Sequence, residues 1–147
     1  MNTAIIVAGG SGKRFGGNTP KQFLEILGKP LIIHTLERFQ QCSEINQIVL
    51  VLPSNQASNF LQIVNKYGIT KLAKIVAGGK TRAESVSKGL KSVQATKAKI
   101  IAVHDGARPL VSSDEISECV LKAKETGAAI LVSTVTDTIK QVKDGKI

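Results

Sequence analysis

The chain has 147 residues, of which 42% are hydrophobic and 21% are charged, and it carries a net charge of +9. These values indicate one soluble globular domain that is large enough to bury a core. No apolar run approaches the length of a membrane span, and 4–8 is too short for the core of a signal peptide. We therefore expect no membrane partner and a cytoplasmic location. Cys42 and Cys119 form no motif with each other, which favours small buried side chains in a reducing compartment over a disulfide or a metal site.

The positive charge is compatible with a solvated basic surface, with a nucleic acid or with a small anionic ligand. The chain has four phenylalanines, one tyrosine and no tryptophan, and no basic run interleaves with them. A stacking platform for nucleic acid is therefore not expected. Many cations stand beside glycines instead, namely Lys13, Arg14, Lys80 and Arg82. This distribution favours a small molecule with several phosphates.

Strand and helix signals alternate along the chain. Apolar runs predict strands at 4–8, 45–52, 72–77, 99–103 and 128–133. Four helices are predicted. The first begins at Pro30 and the second covers 55–67. The third follows Arg82 and has the apolar face Ala83, Val86, Leu90 and Val93. The fourth runs from a capping box at Ser112 and Glu115 to Gly127. The stretch 135–147 is less apolar and contains a hairpin-turn signal at Asp144-Gly145. Together these signals predict an α/β fold, with a mostly parallel sheet and helices on both of its faces.

The loop after the first predicted strand, 9–21, combines glycines with three cations. Glycines allow the backbone N–H groups to approach a ligand closely, and successive N–H groups form a concavity that suits anions. The spacing differs from that of a P-loop, because Arg14 follows Lys13 where Ser or Thr is needed. It also differs from the dinucleotide fingerprint, since Phe15 takes the place of the third glycine. An ordinary glycine-rich turn with solvated lysines is the alternative.

Two further polar loops follow predicted strands, at 78–82 and 104–109. In a parallel sheet, ligands bind beyond the carboxyl ends of the strands. We therefore expect these loops and the loop at 9–21 to meet at one crevice, although they are far apart in sequence.

Five motifs occur in order along the chain: Ala8-Gly9-Gly10-Ser11-Gly12-Lys13-Arg14, Pro20-Lys21-Gln22-Phe23-Leu24, Gly78-Gly79 with Arg82, Ser85-Val86 and Gly89-Leu90, His104-Asp105-Gly106-Ala107-Arg108-Pro109, and Thr136-Asp137-Thr138-Ile139-Lys140. Their order and spacing resemble those of the 2-C-methyl-D-erythritol 4-phosphate cytidylyltransferase family. The resemblance extends over all 147 residues.

The resemblance implies a Rossmann-like three-layer α/β/α fold, truncated at the carboxyl end. It implies a nucleotidyltransferase domain over 1–134 and the start of a dimerisation arm over 135–147. The reaction implied is the condensation of CTP with an alditol phosphate, with Mg²⁺, to give a CDP-alditol and pyrophosphate. In such transfers a protein mainly positions groups and neutralises charge, which agrees with the absence of a Ser–His–Asp or Cys–His pattern. The full-length family also implies a homodimer.

The resemblance assigns a nucleotide-binding role to residues of the first two loops. Arg14 and Lys21 match the two cations that stabilise the transition state. Gly79 and Ser85 match positions that read the cytosine, although Ser85 could instead be an ordinary serine of a first helical turn. The triphosphate would be wrapped by the backbone of Ala8, Gly9, Gly10, Ser11 and Gly12.

Residues of the third loop and of the tail match the acceptor site. Asp105 matches an acid near the ribose, the metal and the alditol phosphate. Arg108 and Thr138 match contacts to the alditol phosphate. Asp105 and Arg108 could instead be a simple ion pair within the loop. His104 is interpreted as a structural hydrogen-bonding residue at a strand end.

The sequence departs from the family pattern at Lys80, where many relatives have an acidic residue, and at Gly106, where alanine is commoner. The family's chains also continue well past Ile147, so weak or no turnover is expected from this chain. Three alternatives stay open: a ribitol 5-phosphate cytidylyltransferase, a non-catalytic CTP-binding or dimerisation fragment, and a nucleotidyltransferase for a sugar phosphate and another base.

Overall fold

The computed structural model describes residues 1–9, 20–93 and 98–144, with the backbone alone for 57–59. The predictions for Gly10, Ser11, Gly12, Lys13 and Arg14 therefore lie outside the described residues, as does residue 145 of the predicted hairpin turn.

Within these residues the strands and helices alternate as predicted. The strands are β1 (Asn2–Val7), β2 (Glu25–Ile26), β3 (Lys29–Pro30), β4 (Gln47–Leu52), β5 (Leu72–Ala77) and β6 (Ile100–Asp105). The helices are α1 (Leu31–Gln41), α2 (Ala57–Lys66), α3 (Arg82–Ser92) and α4 (Ser113–Thr126), with a 3-10 turn at Lys21–Phe23. The Ser112–Glu115 capping box and the left-handed Gly127 delimit α4 as expected.

Four of the strands form one sheet in the order β5-β4-β1-β6, and every pairing in it is parallel. The central strands β1 and β4 are buried on both faces, because each sits between helices as well as between strands. Ile5, Val7 and Val51 pack on the side of α3. Ala4 and Ile6 belong to a second cluster, which the side chains of α1, α2 and α4 complete. The predicted α/β/α layering with a mostly parallel sheet is confirmed.

The fifth predicted strand, at 128–133, is wrong. These residues form no helix or strand, and the side chains of Ile130 and Val132 are 83% and 81% exposed. A β-branched run becomes a strand only when a neighbouring strand accepts its backbone hydrogen bonds. Within the described ranges no strand pairs with the outer edge of β6, and its residues Ile101 and Val103 stay partly exposed.

Two smaller features also differ from the sequence-based picture. The turn before α1 is a small antiparallel hairpin of β2 and β3, closed by Leu27 and Gly28 with φ of 53° and 71°. Helix α3 contacts the sheet through Ser85 and Gly89, which are buried, whereas the predicted core residue Leu90 is 41% exposed. Small side chains there let the helix axis approach the sheet closely.

Among the described residues, no helix has the length and apolar character needed to cross a membrane. Cys42 is buried as expected, Cys119 is half-buried, and both are free thiols. The division of the chain between 134 and 135 stays a prediction.

Candidate functional site

The candidate site lies at the carboxyl edge of the sheet, where β1 and β6 end side by side. Val7, the last residue of β1, pairs with Asp105, the last residue of β6. The chain order of the strands reverses at this pair, because β4 and β5 extend from one side of β1 and β6 lies on the other. Such a switch point is where open α/β sheets form their ligand crevice.

The first and second glycine loops touch each other through their backbones. A Cβ atom added at Gly9 would lie 3.7 Å from the Cα of Gly78, and one added at Gly78 would lie 3.5 Å from the Cα of Gly9. Both added atoms would lie 3.1 Å from the Oγ of Ser85, which is tighter than ordinary contact. The two glycines therefore allow three chain segments to meet at this edge.

The buried side chain of Ser85 fixes the conformation of the second loop through hydrogen bonds. Its side chain is buried, and its hydroxyl donates to the carbonyl oxygen of Thr81 at 2.9 Å and accepts from the N–H of Gly79 at 3.0 Å. A hydroxyl can accept a second hydrogen bond, so this geometry leaves one acceptor position. The observed contacts are those of a first-turn helix serine that also shapes the loop. Its role in reading the base stays a prediction.

The same loop is closed by Glu84. The N–H of Glu84 donates to Thr81 Oγ1 at 3.1 Å, and Glu84 Oε2 accepts from the N–H of Lys80 at 2.7 Å. The side chain of Glu84 lies against Gly79, where a Cβ would clash with it. Lys88 adds a bond of 2.8 Å from Nζ to the carbonyl oxygen of Gly78. The conformation of the loop is thus set by four side chains of its own helix, those of Thr81, Glu84, Ser85 and Lys88.

Asp105 joins the second loop to the third. Its Oδ1 lies 2.9 Å from Nε of Arg82, and its Oδ2 lies 3.0 Å from Nε of Arg108. The predicted alternative of an Asp105–Arg108 ion pair is thus present. Arg82, one of the cations predicted to favour a phosphate ligand, is a second partner of the same carboxylate.

The 3-10 turn that carries Lys21 is anchored by the next residue. Gln22 is buried, and its side-chain Nε2 donates to the carbonyl oxygen of Ala8 at 2.8 Å. Phe23 packs its ring 5.5 Å from that of Phe60. Lys21 itself is exposed. Its backbone is therefore tied to the end of β1, beside the first glycine loop.

Two core-facing side chains hold the third loop. Thr35 is fully buried in α1, and its Oγ1 donates to the carbonyl oxygen of Gly106 at 2.9 Å. The ring of His104 packs 5.1 Å from that of Phe39, and its Nε2 lies 3.0 Å from the carbonyl oxygen of Arg108. The structural interpretation of His104 agrees with this contact. The sequence-based prediction did not include Thr35 among the residues that position the site. Its one indication in the sequence was a hydroxyl side chain on an otherwise apolar helix face.

Thr138 is not brought to the site by any described hydrogen bond. It lies in the stretch after α4 that forms no helix or strand, and it is exposed. Its predicted contact to the acceptor stays untested.

In the part of the chain that the structure describes, no group of three His, Cys, Asp or Glu side chains could hold a metal ion. Asp105 would therefore have to share a cation with ligands from elsewhere. Mg²⁺ is commonly bound in this way, by one or two carboxylates together with substrate phosphates and water. Each carboxylate oxygen has a second acceptor position beside its arginine, so Asp105 fits this arrangement.

Comparison with known proteins shows the family of the chain. A family model described as 2-C-methyl-D-erythritol 4-phosphate cytidylyltransferase matches residues 2–147. The chain is 42% identical over 143 residues to the protein of that name from Alkaliphilus metalliredigens, covering 97% of this chain and 59% of the relative. It is 37% identical over 147 residues to the ribitol-5-phosphate cytidylyltransferase of Streptococcus agalactiae, with coverages of 98% and 62%.

A solved structure is similar over the whole chain. The crystal structure of 4-diphosphocytidyl-2C-methyl-D-erythritol synthase from Anaerococcus prevotii superposes with a TM-score of 0.83 at 26% identity, covering 100% of this chain and 62% of that one. The chain thus spans between 59% and 62% of the length of these three relatives.

Proposed function

Because the chain belongs to the 2-C-methyl-D-erythritol 4-phosphate cytidylyltransferase family, we propose that it binds CTP at the carboxyl edge of its sheet. The whole protein would transfer the cytidylyl group to 2-C-methyl-D-erythritol 4-phosphate. The observation that carries this proposal is the meeting of three loops, through the contact of Gly9 with Gly78 and the ion pair of Arg82 with Asp105. The place where they meet carries the exposed cations Arg82 and Arg108, whose charge suits a triphosphate.

The proposed reaction needs no protein nucleophile. An oxygen of the acceptor phosphate attacks the α-phosphorus of CTP, the bond from that phosphorus to the bridging oxygen breaks, and pyrophosphate leaves. The protein holds the reactants in line and neutralises the charge that develops. Lys21 and Arg14 are the cations proposed for this role. The anchoring of the Lys21 backbone through Gln22 supports its part, since a fixed attachment point limits the reorganisation needed to bring the cation to the reacting phosphate.

Mg²⁺ is the proposed cofactor, and Asp105 is the residue proposed to hold it together with phosphate oxygens. When bound, the ion would neutralise charge on the triphosphate. The chain's own contribution is to keep the Asp105 carboxylate in place, through the two arginines that bind it.

The base and the acceptor are proposed to lie on either side of the triphosphate. The cytosine would lie against Gly79 and Ser85 of the second loop. The alditol phosphate would contact Arg108, Asp105 and Thr138. The homodimer implied for the full-length family would be built from residues beyond 134 and is likewise a proposal.

The identity of the acceptor is the finer part of the proposal. Named relatives include cytidylyltransferases for both methylerythritol phosphate and ribitol phosphate, at 42% and 37% identity. The His-Asp-Gly-Ala-Arg-Pro and Thr-Asp-Thr-Ile-Lys motifs support the methylerythritol enzyme. A pyrophosphate-release assay with each acceptor and CTP decides between them, and faster release with ribitol 5-phosphate would overturn the choice.

Nucleotide binding is tested by calorimetric titration of this chain with CTP, UTP and GTP in the presence of Mg²⁺. We expect CTP to bind most tightly, because the second loop offers fixed polar groups to one base. Equal affinity for all three nucleotides would contradict the cytosine site. Binding of CTP without release of pyrophosphate would instead support the non-catalytic module.

A substitution at Lys21 tests the catalytic assignment. In the whole protein, Lys21→Ala should lower pyrophosphate release about 100-fold while weakening CTP binding only a few-fold, because a cation that acts on the transition state contributes little to ground-state binding. The matched control is Lys122→Ala on the exposed face of α4, which should change neither. Equal losses in release and binding for Lys21→Ala would show that Lys21 only binds the nucleotide.

A further inference from the structure

Arg82 and Arg108 come from separate elements and meet on one carboxylate. Arg82 is the first residue of α3, and Arg108 lies in the turn after β6. Arg82 donates through Nε to Oδ1 of Asp105 at 2.9 Å, and Nε of Arg108 forms an ion pair with Oδ2 at 3.0 Å. Both guanidinium groups therefore contact the same carboxylate. The side chains are 62% and 74% exposed, whereas that of Asp105 is 28% exposed.

The bonds to Asp105 leave most of each guanidinium group available. A guanidinium has five N–H donors in a fixed fork, and only the one on Nε is used here. Among the described residues, the terminal nitrogens of these two arginines have no hydrogen-bond partner. The backbone of Arg108 is also held by His104, and that of Arg82 by the first turn of α3. Donors that are already oriented lose little entropy when they bind a planar or tetrahedral anion.

Stability of the fold does not explain the cluster. Exposed ion pairs contribute little to folding, and two neighbouring guanidinium groups repel each other. The charge of the three side chains sums to one positive unit, which suits an anion that brings two acceptor oxygens.

We propose that Arg82 and Arg108, braced by Asp105, form a two-arginine receptor for a single phosphate group. The proposal rests on the proposed function, and it adds Arg82 to the ligand-binding residues. The phosphate could be that of the alditol acceptor or one of the nucleotide, and both present the same oxygen chemistry. Arginine pairs recognise phosphate by parallel charge-assisted hydrogen bonds.

Titration with inorganic phosphate tests the receptor directly. The Nε–Hε signals of Arg82 and Arg108 are followed by ¹H–¹⁵N NMR at constant ionic strength, with sodium chloride as the matched salt. We expect both signals to shift with phosphate and to saturate with one affinity. Arg82→Gln should weaken phosphate binding roughly tenfold, because it removes charge-assisted bonds. Lys91→Gln, on the exposed face of the same helix, removes one charge as well and should leave the affinity unchanged.

Two results would overturn the receptor. One is the absence of any phosphate-specific shift in the unmodified chain, and the other is equal phosphate affinity in Arg82→Gln and the unmodified chain. Backbone spectra of each variant verify the fold, and Arg82→Lys provides a second variant that keeps the charge. Partial recovery of affinity by Lys is expected, since a lysine supplies charge without the planar fork.

Titration with CTP and with erythritol 4-phosphate separates the two sources of phosphate. A loss in Arg82→Gln that is confined to erythritol 4-phosphate places the acceptor at the receptor, and a loss confined to CTP places the nucleotide there. If the unmodified chain binds phosphate but not CTP, the receptor stands and the proposed nucleotide function fails. If the unmodified chain binds CTP normally and phosphate not at all, the receptor fails and the proposed nucleotide function stands.

Discussion

Gln22 shows how one buried amide can position a functional loop. Its Nε2 bonds to the carbonyl oxygen of Ala8, which lies immediately before Gly9. Because the residue is buried, this bond is made in a region of low dielectric, where loss of a partner is costly. Lys21 precedes it in the same 3-10 turn. A change at Gln22 should therefore affect both stability and the placement of Lys21.

We predict that Gln22→Glu destabilises the chain by about 2 kcal/mol or more, because it replaces the donor with a charged acceptor facing a carbonyl oxygen. The control Gln41→Glu makes the same change at the exposed end of α1 and should stay within about 0.5 kcal/mol. Urea denaturation measures both, and calorimetry should show weaker CTP binding for the first variant alone. Equal stability of the two variants would contradict a role for the amide bond.

At the scale of single elements, the position of α3 depends on its contact with the sheet. Gly89 faces β1 and β4, and a Cβ added there would lie 2.6 Å from Cγ2 of Ile5 and 3.2 Å from Cγ2 of Val51. The helix also carries the second loop at its amino end. Its distance from the sheet therefore sets the position of Ser85 and Arg82.

We predict that Gly89→Ala destabilises the chain by about 1–3 kcal/mol, because overpacking outweighs the gain of up to about 1 kcal/mol in helix propensity. Ser87→Ala, at an exposed position of the same helix, should be neutral or slightly stabilising. Thermal denaturation compares the two. A stabilised Gly89→Ala variant would show that the helix can move outward without cost.

Helix α4 has an acid-sensitive amino end. The backbone N–H of Ser112 and then its hydroxyl donate to the carboxylate of Glu115, and these bonds lower the pKa of Glu115 below its ordinary value of 4.5. The pKa of Glu115 is lower in the folded chain than in the unfolded chain. The stabilisation of the fold by these bonds is therefore complete above the ordinary pKa, and it is lost as the pH falls through the lowered pKa.

We therefore predict that Glu115→Gln flattens the loss of stability below pH 4.5, since glutamine keeps an acceptor that does not titrate. Glu118→Gln, exposed on the same helix, is the control. Urea denaturation at several values between pH 7 and pH 3 measures the slope. Identical slopes for the unmodified chain and Glu115→Gln would contradict the prediction.

At the scale of the whole molecule, stability should be highest in the centre of the sheet and lowest after α4. Strand β1 is paired on both sides and buried on both faces, whereas residues 128–142 form no helix or strand. Protection against hydrogen exchange follows buried backbone hydrogen bonds.

We predict that amides of β1 and β4 exchange slowest and those of 128–142 fastest. Strand β6 should lie between them, because no strand among the described residues pairs with its second edge. Hydrogen exchange followed by mass spectrometry resolves these segments. Protection of 128–133 equal to that of β6 would show that this apolar run does pair as the strand expected from its sequence.

The local patterns of the sequence were enough to predict a mostly parallel sheet with helices on both faces, the bounds of β5, the capping box of α4 and the meeting of three glycine-rich or charged loops. These features depend on apolar periodicity, on neighbouring residues and on the rule that parallel strands end at one edge. The tertiary structure decided which side chains meet within that edge. It paired Arg82 with Asp105, turned the Ser85 hydroxyl inward and left 128–133 without a partner strand. Such contacts depend on the distance between elements far apart in the chain, which no local pattern contains.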